Sequence, residues 1–261
     1  MLGTIIGDIA GSIYEFHNHK SKDFSFFGDK ISFTDDSVCT IALANALLSA
    51  KDPAIELQQW CSRYPARGYG GKFLQWIYSA DLKPYNSYGN GAAMRVSSAA
   101  WLGASLNEAL CLADKITEIT HNHPEGLRGA RATCHAIYMA LSGSTAEQIR
   151  TAVQAIYNYD LSQKIDDIRT DYRFDESCQG TVPQALTCAL NADSFEDAIR
   201  NAISIGGDSD TVPAIAGSVA GPLFGIPQWA SSRAMGLIPQ EFSDVIARVQ
   251  IHHSDLQKTE G

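Results

Sequence analysis

Basic residues are scarce in this chain of 261 residues: 20 Lys and Arg stand against 29 Asp and Glu, a formal net charge of −9 at pH 7. No basic run occurs, so nothing is available to neutralise a phosphate backbone or an anionic bilayer, and neither nucleic acid nor membrane is expected as a partner. The six cysteines, Cys39, Cys61, Cys111, Cys134, Cys178 and Cys188, include no CxxC pair. That argues against a zinc ribbon or a redox dithiol and for a reducing, cytoplasmic setting. The segment from Met1 to Asp8 lacks a basic n-region and meets an acid early, so no secretory signal is expected. Uninterrupted apolar runs are missing as well. An uncharged stretch from Val212 to Ala230 holds Pro213, Pro222 and Pro227 and reads as a buried helix and a turn, not a membrane span.

What remains is an ordinary globular interior, 45% hydrophobic and 19% charged, at a length that buries about three quarters of the unfolded surface. No Pro/Gly/Ser-rich linker or fixed-period repeat divides it. A single domain over residues 1–251 is expected, with a polar, frayed tail over 252–261, in a monomer. Alternating segments rich in β-branched residues are almost absent while helical periodicity dominates, so the expected class is all-α, one compact multi-helix domain. Candidate helices run from Ser37 to Ala50, Ala54 to Arg63, Gly91 to Gly103, Leu106 to Thr120, Pro124 to Leu141, Thr145 to Asn158, Val182 to Asn191, Phe195 to Ile205, Thr211 to Leu223 and Gln240 to Ile251. Ser144 with Glu147 reads as a capping box, and Ser194 as an N-cap ahead of Glu196 and Asp197. Gly3, Gly7 and Gly11, like Gly217, Gly221 and Gly225, recur every four residues and would give a helix a smooth stripe for close packing. Asp8, Ser12 and Glu15 fall at helical spacing on one face of an otherwise apolar N-terminal segment, where buried carboxylates need partners and a cation is one candidate.

Two further clusters carry the chemistry. Thr34, Asp35 and Asp36 stand immediately before one apolar helix, and Asp208, Asp210 and Thr211 before another, the second preceded by the turn-forming pair Gly206 and Gly207. Either motif alone is accounted for by an aspartate N-cap. With Asp8 and Glu15, however, one chain has six acids to explain, and a single binuclear metal site explains them together. Four carboxylates and two hydroxyls, with neither thiolate nor imidazole, suit Mg²⁺, Mn²⁺ or Ca²⁺ rather than zinc.

Five segments, Gly7 to Glu15, Phe33 to Ser37, Tyr88 to Arg95, Thr120 to Pro124, and Gly206 to Thr211 followed by Ala214 to Gly217, resemble in order and spacing those of the ADP-ribosylglycohydrolases. That family includes the dinitrogenase reductase-activating glycohydrolase and the ADP-ribosyl-acceptor hydrolases, and the likeness spans about residues 1 to 235. The resemblance implies an all-helical domain holding two Mg²⁺, with Mn²⁺ as a substitute, at the base of a cleft. The implied metal ligands are Thr34, Asp35, Asp36, Asp208, Asp210 and Thr211, and Glu15, Asp35 and Asp36 are the implied catalytic carboxylates. The implied reaction is hydrolysis of the glycosidic bond between ADP-ribose and an acceptor, through an oxocarbenium-like transition state. The acceptor would be an arginine or serine side chain of an ADP-ribosylated protein, a nucleobase of an ADP-ribosylated nucleic acid, or a small molecule. Ser87, Tyr88, Gly89, Asn90 and Gly91, together with His121, are the implied substrate-binding residues, with free N–H groups for the pyrophosphate and Tyr88 for adenine.

Other features read as structural. The loop Gly68 to Gly71 has the character of a turn, His17 and His19 lack a third ligand, and His123 caps the helix that begins at Pro124. Asp166, Asp167, Asp171, Asp175 and Glu176 read as a solvated acidic loop. Ser37 stands where the family commonly has Thr, and the stretch from Cys61 to Ala80 carries no acid, which leaves the acceptor open. Two alternatives share this residue set: a two-metal nucleotide phosphohydrolase, and a non-catalytic, crystallin-like or ADP-ribose-binding member.

Overall fold

The computed structural model describes residues 1–260, which form fifteen helices. They are α1 (Leu2–Gly11), α2 (Asp35–Leu48), α3 (Pro53–Arg63), α4 (Gly71–Ile77), α5 (Gly91–Met94), α6 (Ser97–Leu102), α7 (Leu106–Thr117), α8 (Pro124–Leu141), α9 (Ala146–Tyr157), α10 (Ile165–Asp171), α11 (Cys178–Leu190), α12 (Phe195–Ser204), α13 (Thr211–Phe224), α14 (Gln228–Met235) and α15 (Gln240–Glu260). Among the described residues the only bridge of β type is the isolated pair Gly89 and Ser177. The all-α expectation holds. Among the described residues no helix is long and apolar enough to cross a membrane.

Helix α13 is the axis of the fold. Thr211 to Ala220 are all buried, because α1, α8, α11 and α12 pack around them. The contact with α1 is antiparallel and nearly backbone to backbone. A Cβ on Gly3 would lie 2.1 Å from the carbonyl oxygen of Gly217, one on Gly7 2.0 Å from that of Pro213, and one on Gly11 1.8 Å from that of Ser209. The first glycine stripe is therefore a packing surface. Gly225, by contrast, ends α13 at φ 74° and lies outside any such contact. Elsewhere α1 buries Ile5, Ile6 and Ile9 completely, worth about 1.5–3 kcal/mol each. Helix α2 joins this core through α1, and packs on its other sides against α3, α6 and α15.

Several boundaries differ from expectation, each for a local reason. The segment Gly91 to Gly103 divides into α5 and α6, because the chain leaves helical geometry at Arg95 (φ −100°, ψ 2°), whose side chain is buried. The capping box on α9 is shifted by one residue: Thr145 accepts from Gln148 N while the Gln148 side chain accepts from Thr145 N. Helix α11 begins at Cys178 and not Val182, with Ser177 capping Gly180 N. Helix α1 ends at Gly11, so Ser12 is its C-cap and Glu15 sits in the following turn, not on the helical face of Asp8. Where a polar tail was expected over 252–261, α15 continues to Glu260, and His253 Nδ1 lies 3.1 Å from the Trp101 carbonyl oxygen. Gly261 lies outside the described residues. The short helices α4, α10 and α14 went unread in the sequence because each buries only one to three residues. The Ser194 cap on α12 is as expected.

Gly7→Ala puts a methyl group into the Pro213 carbonyl and forces α1 away from α13; it should cost about 2–3 kcal/mol or more, read as a drop in the unfolding midpoint, and an unchanged midpoint would contradict the close contact.

Candidate active site

The α1–α13 contact brings the C-terminal end of α1 beside the N-terminus of α13, and α2 starts against the same place. Asp8, fully buried, accepts hydrogen bonds from Thr34 N (3.0 Å), Thr34 Oγ1 (2.7 Å), Ser37 N (3.1 Å) and the Ser37 hydroxyl. Its partner is thus the N-terminus of α2, where free N–H groups and the helix dipole stabilise a negative charge. Thr34 is also the N-cap of α2, accepting from Asp36 N at 3.3 Å. This ties the loop before α2 to α1 and turns Asp35 and Asp36 toward a cavity of about 400 Å³.

The same cavity is lined by Glu15, Asp208, Asp210 and Thr211. Gly206 and Gly207 adopt φ of 70° and 81°, a left-handed turn that residues with a Cβ rarely adopt, and this turn delivers Asp208 and Asp210 together. Asp208 Oδ2 accepts from Asn90 Nδ2 at 2.6 Å, and Thr211 Oγ1 donates to Asp36 Oδ1 at 3.3 Å. One carboxylate oxygen each from Glu15, Asp208 and Asp210 lies within 4.8 Å of the others. Asn18 holds Glu15 here: its side chain donates to the Glu15 and Gly207 carbonyls and accepts from Gly207 N at 2.8 Å. Nothing in the local sequence marked Asn18, which sits between two histidines and acts on a residue 189 positions away.

These acids are uncomfortable as anions. Burial, then the charge of Asp210, pushes Asp8 up to about 7; burial, then Asp210, Asp8 and Glu176, pushes Glu15 up to about 8. Asp35, Asp36 and Asp208 are raised well above the carboxylate range, by burial first and by their acidic neighbours. Asp36 Oδ2 is buried with no hydrogen-bond partner. An orphaned oxygen, hard donors only, and mutual repulsion are the conditions that a divalent cation relieves, and the residues fit one.

The opposite chemistry occupies the rest of the cavity. Arg95 is 1% exposed, has no ion-pair partner among the described residues, and leaves Nε unpartnered. Its Nη2 donates to Thr120 Oγ1 and, at 3.1 Å, to His121 Nδ1. Arginine can only donate, so Nδ1 accepts and the neutral imidazole carries its proton on Nε2. That nitrogen lies beside Gly89 and Gly91. Burial, then Arg95, holds the His121 pKa well below its ordinary value. Ser87, Gly89, Asn90, Gly91 and His121 all line the cavity; Tyr88 does not, being half exposed with its ring against His123. Tyr85 and Phe73 supply the aromatic wall instead, and Gly68, Gly70, Gly71 and Lys72 complete it. Thr34 also stays outside the lining, its hydroxyl engaged by Asp8. The acidic stretch is not one solvated loop: Asp166, Asp167 and Asp171 lie in α10, Asp175 accepts from Ser177 N, and Glu176 reaches the cavity. His123 caps α8 as expected, accepting from Glu125 N.

A sequence profile of the ADP-ribosylglycohydrolase family matches residues 1–254. The chain belongs to the ADP-ribosylglycohydrolase family. It is similar to the ADP-ribosylhydrolase ARH3 of Bos taurus, 24% identical over a gapped alignment that covers 99% of this chain and 92% of that protein. It is also similar to the ADP-ribosylarginine hydrolase Tri1 of Pseudomonas putida, 24% identical over 90% of this chain and 73% of that one. Among solved structures, an ADP-ribosylglycohydrolase-related protein complex aligns with a TM-score of 0.73 at 21% identity, covering 97% of this chain and 95% of that one, which shows a shared fold.

Raised carboxyl pKa values mean that the folded, metal-free protein holds protons that the unfolded chain has lost. The stability this cluster contributes is present below about pH 4 and is lost as pH rises through about 7 for Asp8 and about 8 for Glu15. Divalent cations must displace those protons. The rise in unfolding midpoint caused by Mg²⁺ over chelated protein should therefore grow between about pH 6 and pH 8.5; a shift that shrinks over that range would contradict the cluster's assignment.

Proposed function

We propose that this protein is a metal-dependent hydrolase that cleaves the glycosidic bond between ADP-ribose and an acceptor, releasing ADP-ribose. The observation that carries this reading is the two-ended cavity: a carboxylate cluster with an orphaned oxygen at one end, and an uncompensated guanidinium with a neutral histidine at the other. A diphosphate flanked by a ribose and a base matches that division. The hydrolase names borne by the relatives, such as ARH3 of Bos taurus, point the same way.

Arg95 and Lys72 supply positive charge for the diphosphate. Ser87 N, Gly89 N and Asn90 N are taken by the Thr120 carbonyl, the Ser87 hydroxyl and the Glu176 carbonyl, so His121 Nε2–H supplies the directed donor, while Tyr85 and Phe73 offer stacking surface to the adenine. Two Mg²⁺, or Mn²⁺, would be held by Asp35, Asp36, Asp208, Asp210 and Thr211, with Thr34 fixing the loop or adding its remaining lone pair; such ions, when bound, orient the ribose diol and acidify a water. Glu15, half-buried beside Asp208 and Asp210, is the group we assign to proton transfer, with Asp35 and Asp36 as the other catalytic carboxylates. Asn90, bonded to both Asp208 and Thr181, keeps the Asp208 carboxylate oriented.

Incubation with Mg²⁺ and ADP-ribosylated protein should release intact ADP-ribose; AMP and ribose phosphate would mark a phosphohydrolase instead, and bound ligand without product a non-catalytic member. Glu15→Ala should lower kcat by about 10²–10⁴-fold with an unfolding midpoint near that of the parent, and Asp36→Asn should abolish both turnover and the Mg²⁺-induced stabilisation. Near-parent turnover in Glu15→Ala would remove its assigned role.

A further inference from the structure

Helix α10 buries a single residue, Ile168, and so adds little to the core. Its C-terminal end is nevertheless tied down. Lys20 Nζ donates to the carbonyls of Arg169 (3.0 Å) and Tyr172 (2.8 Å) and also to that of Ile205. The Arg169 guanidinium donates to Ser204 Oγ from Nε at 3.1 Å and from Nη2 at 3.0 Å. Tyr172 and Ile205 are the C-caps of α10 and α12. One ammonium thus serves the carbonyl ends of two helices, where the dipole favours a cation. These bonds fix Tyr172 beside the Gly206–Gly207 turn that follows α12.

The Tyr172 ring lies against that turn. A Cβ on Gly207 would stand 2.3 Å from Tyr172 Cε1 and 3.0 Å from Cδ1. Asn18 holds both the Gly207 N–H (2.8 Å) and its carbonyl (3.0 Å), and the Ser209 hydroxyl donates to the same carbonyl at 3.2 Å. A Cβ on Gly206 would meet Asn18 Oδ1 at 2.8 Å and Lys20 Cε at 2.9 Å. The turn is therefore enclosed by residues 18, 20 and 172. The Tyr172 hydroxyl is buried with no hydrogen-bond partner, so the ring makes the contact and the phenol oxygen does not.

Electrostatics gives the enclosure a use. Two successive glycines at positive φ form a hinge with little stiffness of its own. The aspartates that the hinge delivers, Asp208 and Asp210, repel each other, and Asp210 also repels Asp8, Glu15 and Asp36. Repulsion pushes such a hinge open when no cation is bound. A ring packed against it keeps the ligands together beforehand, and preorganisation of that kind lowers the free-energy cost of binding.

We propose that Tyr172 is a positioning residue for the metal centre: its ring, seated by Lys20, wedges the Gly206–Gly207 turn so that Asp208 and Asp210 stay convergent in the metal-free protein. This rests on the reading of the acid cluster as a divalent-cation site. Tyr172 is absent from the cavity lining, so it acts through the turn and not on the substrate.

Calorimetric titration of Mg²⁺ into metal-stripped protein, beside unfolding midpoints in chelator, tests the wedge without any turnover. Tyr172→Ala should weaken Mg²⁺ binding by about tenfold or more, the scale expected when a group that orients metal ligands is removed, whereas Tyr172→Phe should bind as the parent does. Gly207→Ala drives a methyl group into the ring and should weaken binding as well. Both changes act on one contact, so the loss caused by Gly207→Ala should be smaller in the Tyr172→Ala background than in the parent. Lys20→Met, at an exposed position, should also weaken binding while keeping a parent-like midpoint, and it carries the test if Tyr172→Ala does not fold. Parent-like affinity in Tyr172→Ala, or in Lys20→Met where that variant stands in for it, would overturn the wedge. So would a Tyr172→Phe variant as weak as Tyr172→Ala, or losses that simply multiply in the double variant. A parent protein that takes up no Mg²⁺ would overturn the cation reading itself, and the wedge with it.

Discussion

The contact between α1 and α13 governs everything else in this molecule. Glycines at every fourth position let two helix backbones meet without intervening side chains. That closeness brings the last turn of α1 beside the first turn of α13. Asp8 is then within reach of the α2 N-terminus, and its four hydrogen bonds from Thr34 and Ser37 dock α2 in turn. Three elements far apart in sequence thus deliver their acids to one place, and a wider helix separation would pull Asp36 away from Thr211 and Asp210.

Bringing like charges together in a low-dielectric site is unfavourable, and the fold offsets it only in part. Helix N-termini serve Asp8 and Asp210, and Asn90 serves Asp208. The remainder appears as carboxyl groups that hold their protons far above the usual range and as an orphaned oxygen on Asp36. A site under that strain has a use for cations, and the uncompensated Arg95 at its other end has a use for anions. The acidity of the whole chain is therefore partly a property of one cleft. On the proposed hydrolase reading, bound cations and a buried guanidinium would together meet the charge of an anionic substrate in an acidic protein.

Local grammar made much of this legible. Thr34 with Asp35 and Asp36, Ser194 with Glu196 and Asp197, and Asp210 ahead of a long apolar segment all announced helix starts, because capping depends on residues within one turn. The two acid clusters were visible for the same reason. Less visible was where helices stop: Arg95 divides α5 from α6 because its guanidinium finds Thr120 and His121, residues that local periodicity cannot see. Glu15 was read on a helical face but occupies a turn, held there by Asn18 across to Gly207. Tyr88, plausible for stacking, turned outward while Tyr85 lined the cavity.

The sequence by itself determined the class of fold, since scarce strand patterns and strong helical periodicity admit little else, and it determined the oxygen-only character of the acid clusters, which is a matter of residue type. Tertiary structure alone decided which acids meet, which polar atoms stay unpartnered, and that Arg95, Asn18 and Glu176 belong to the same site. The physical reason is range: caps and periodicity act over three or four residues, whereas burial, repulsion and hydrogen bonding across the cavity join residues more than a hundred positions apart, and they exist only once the chain has packed.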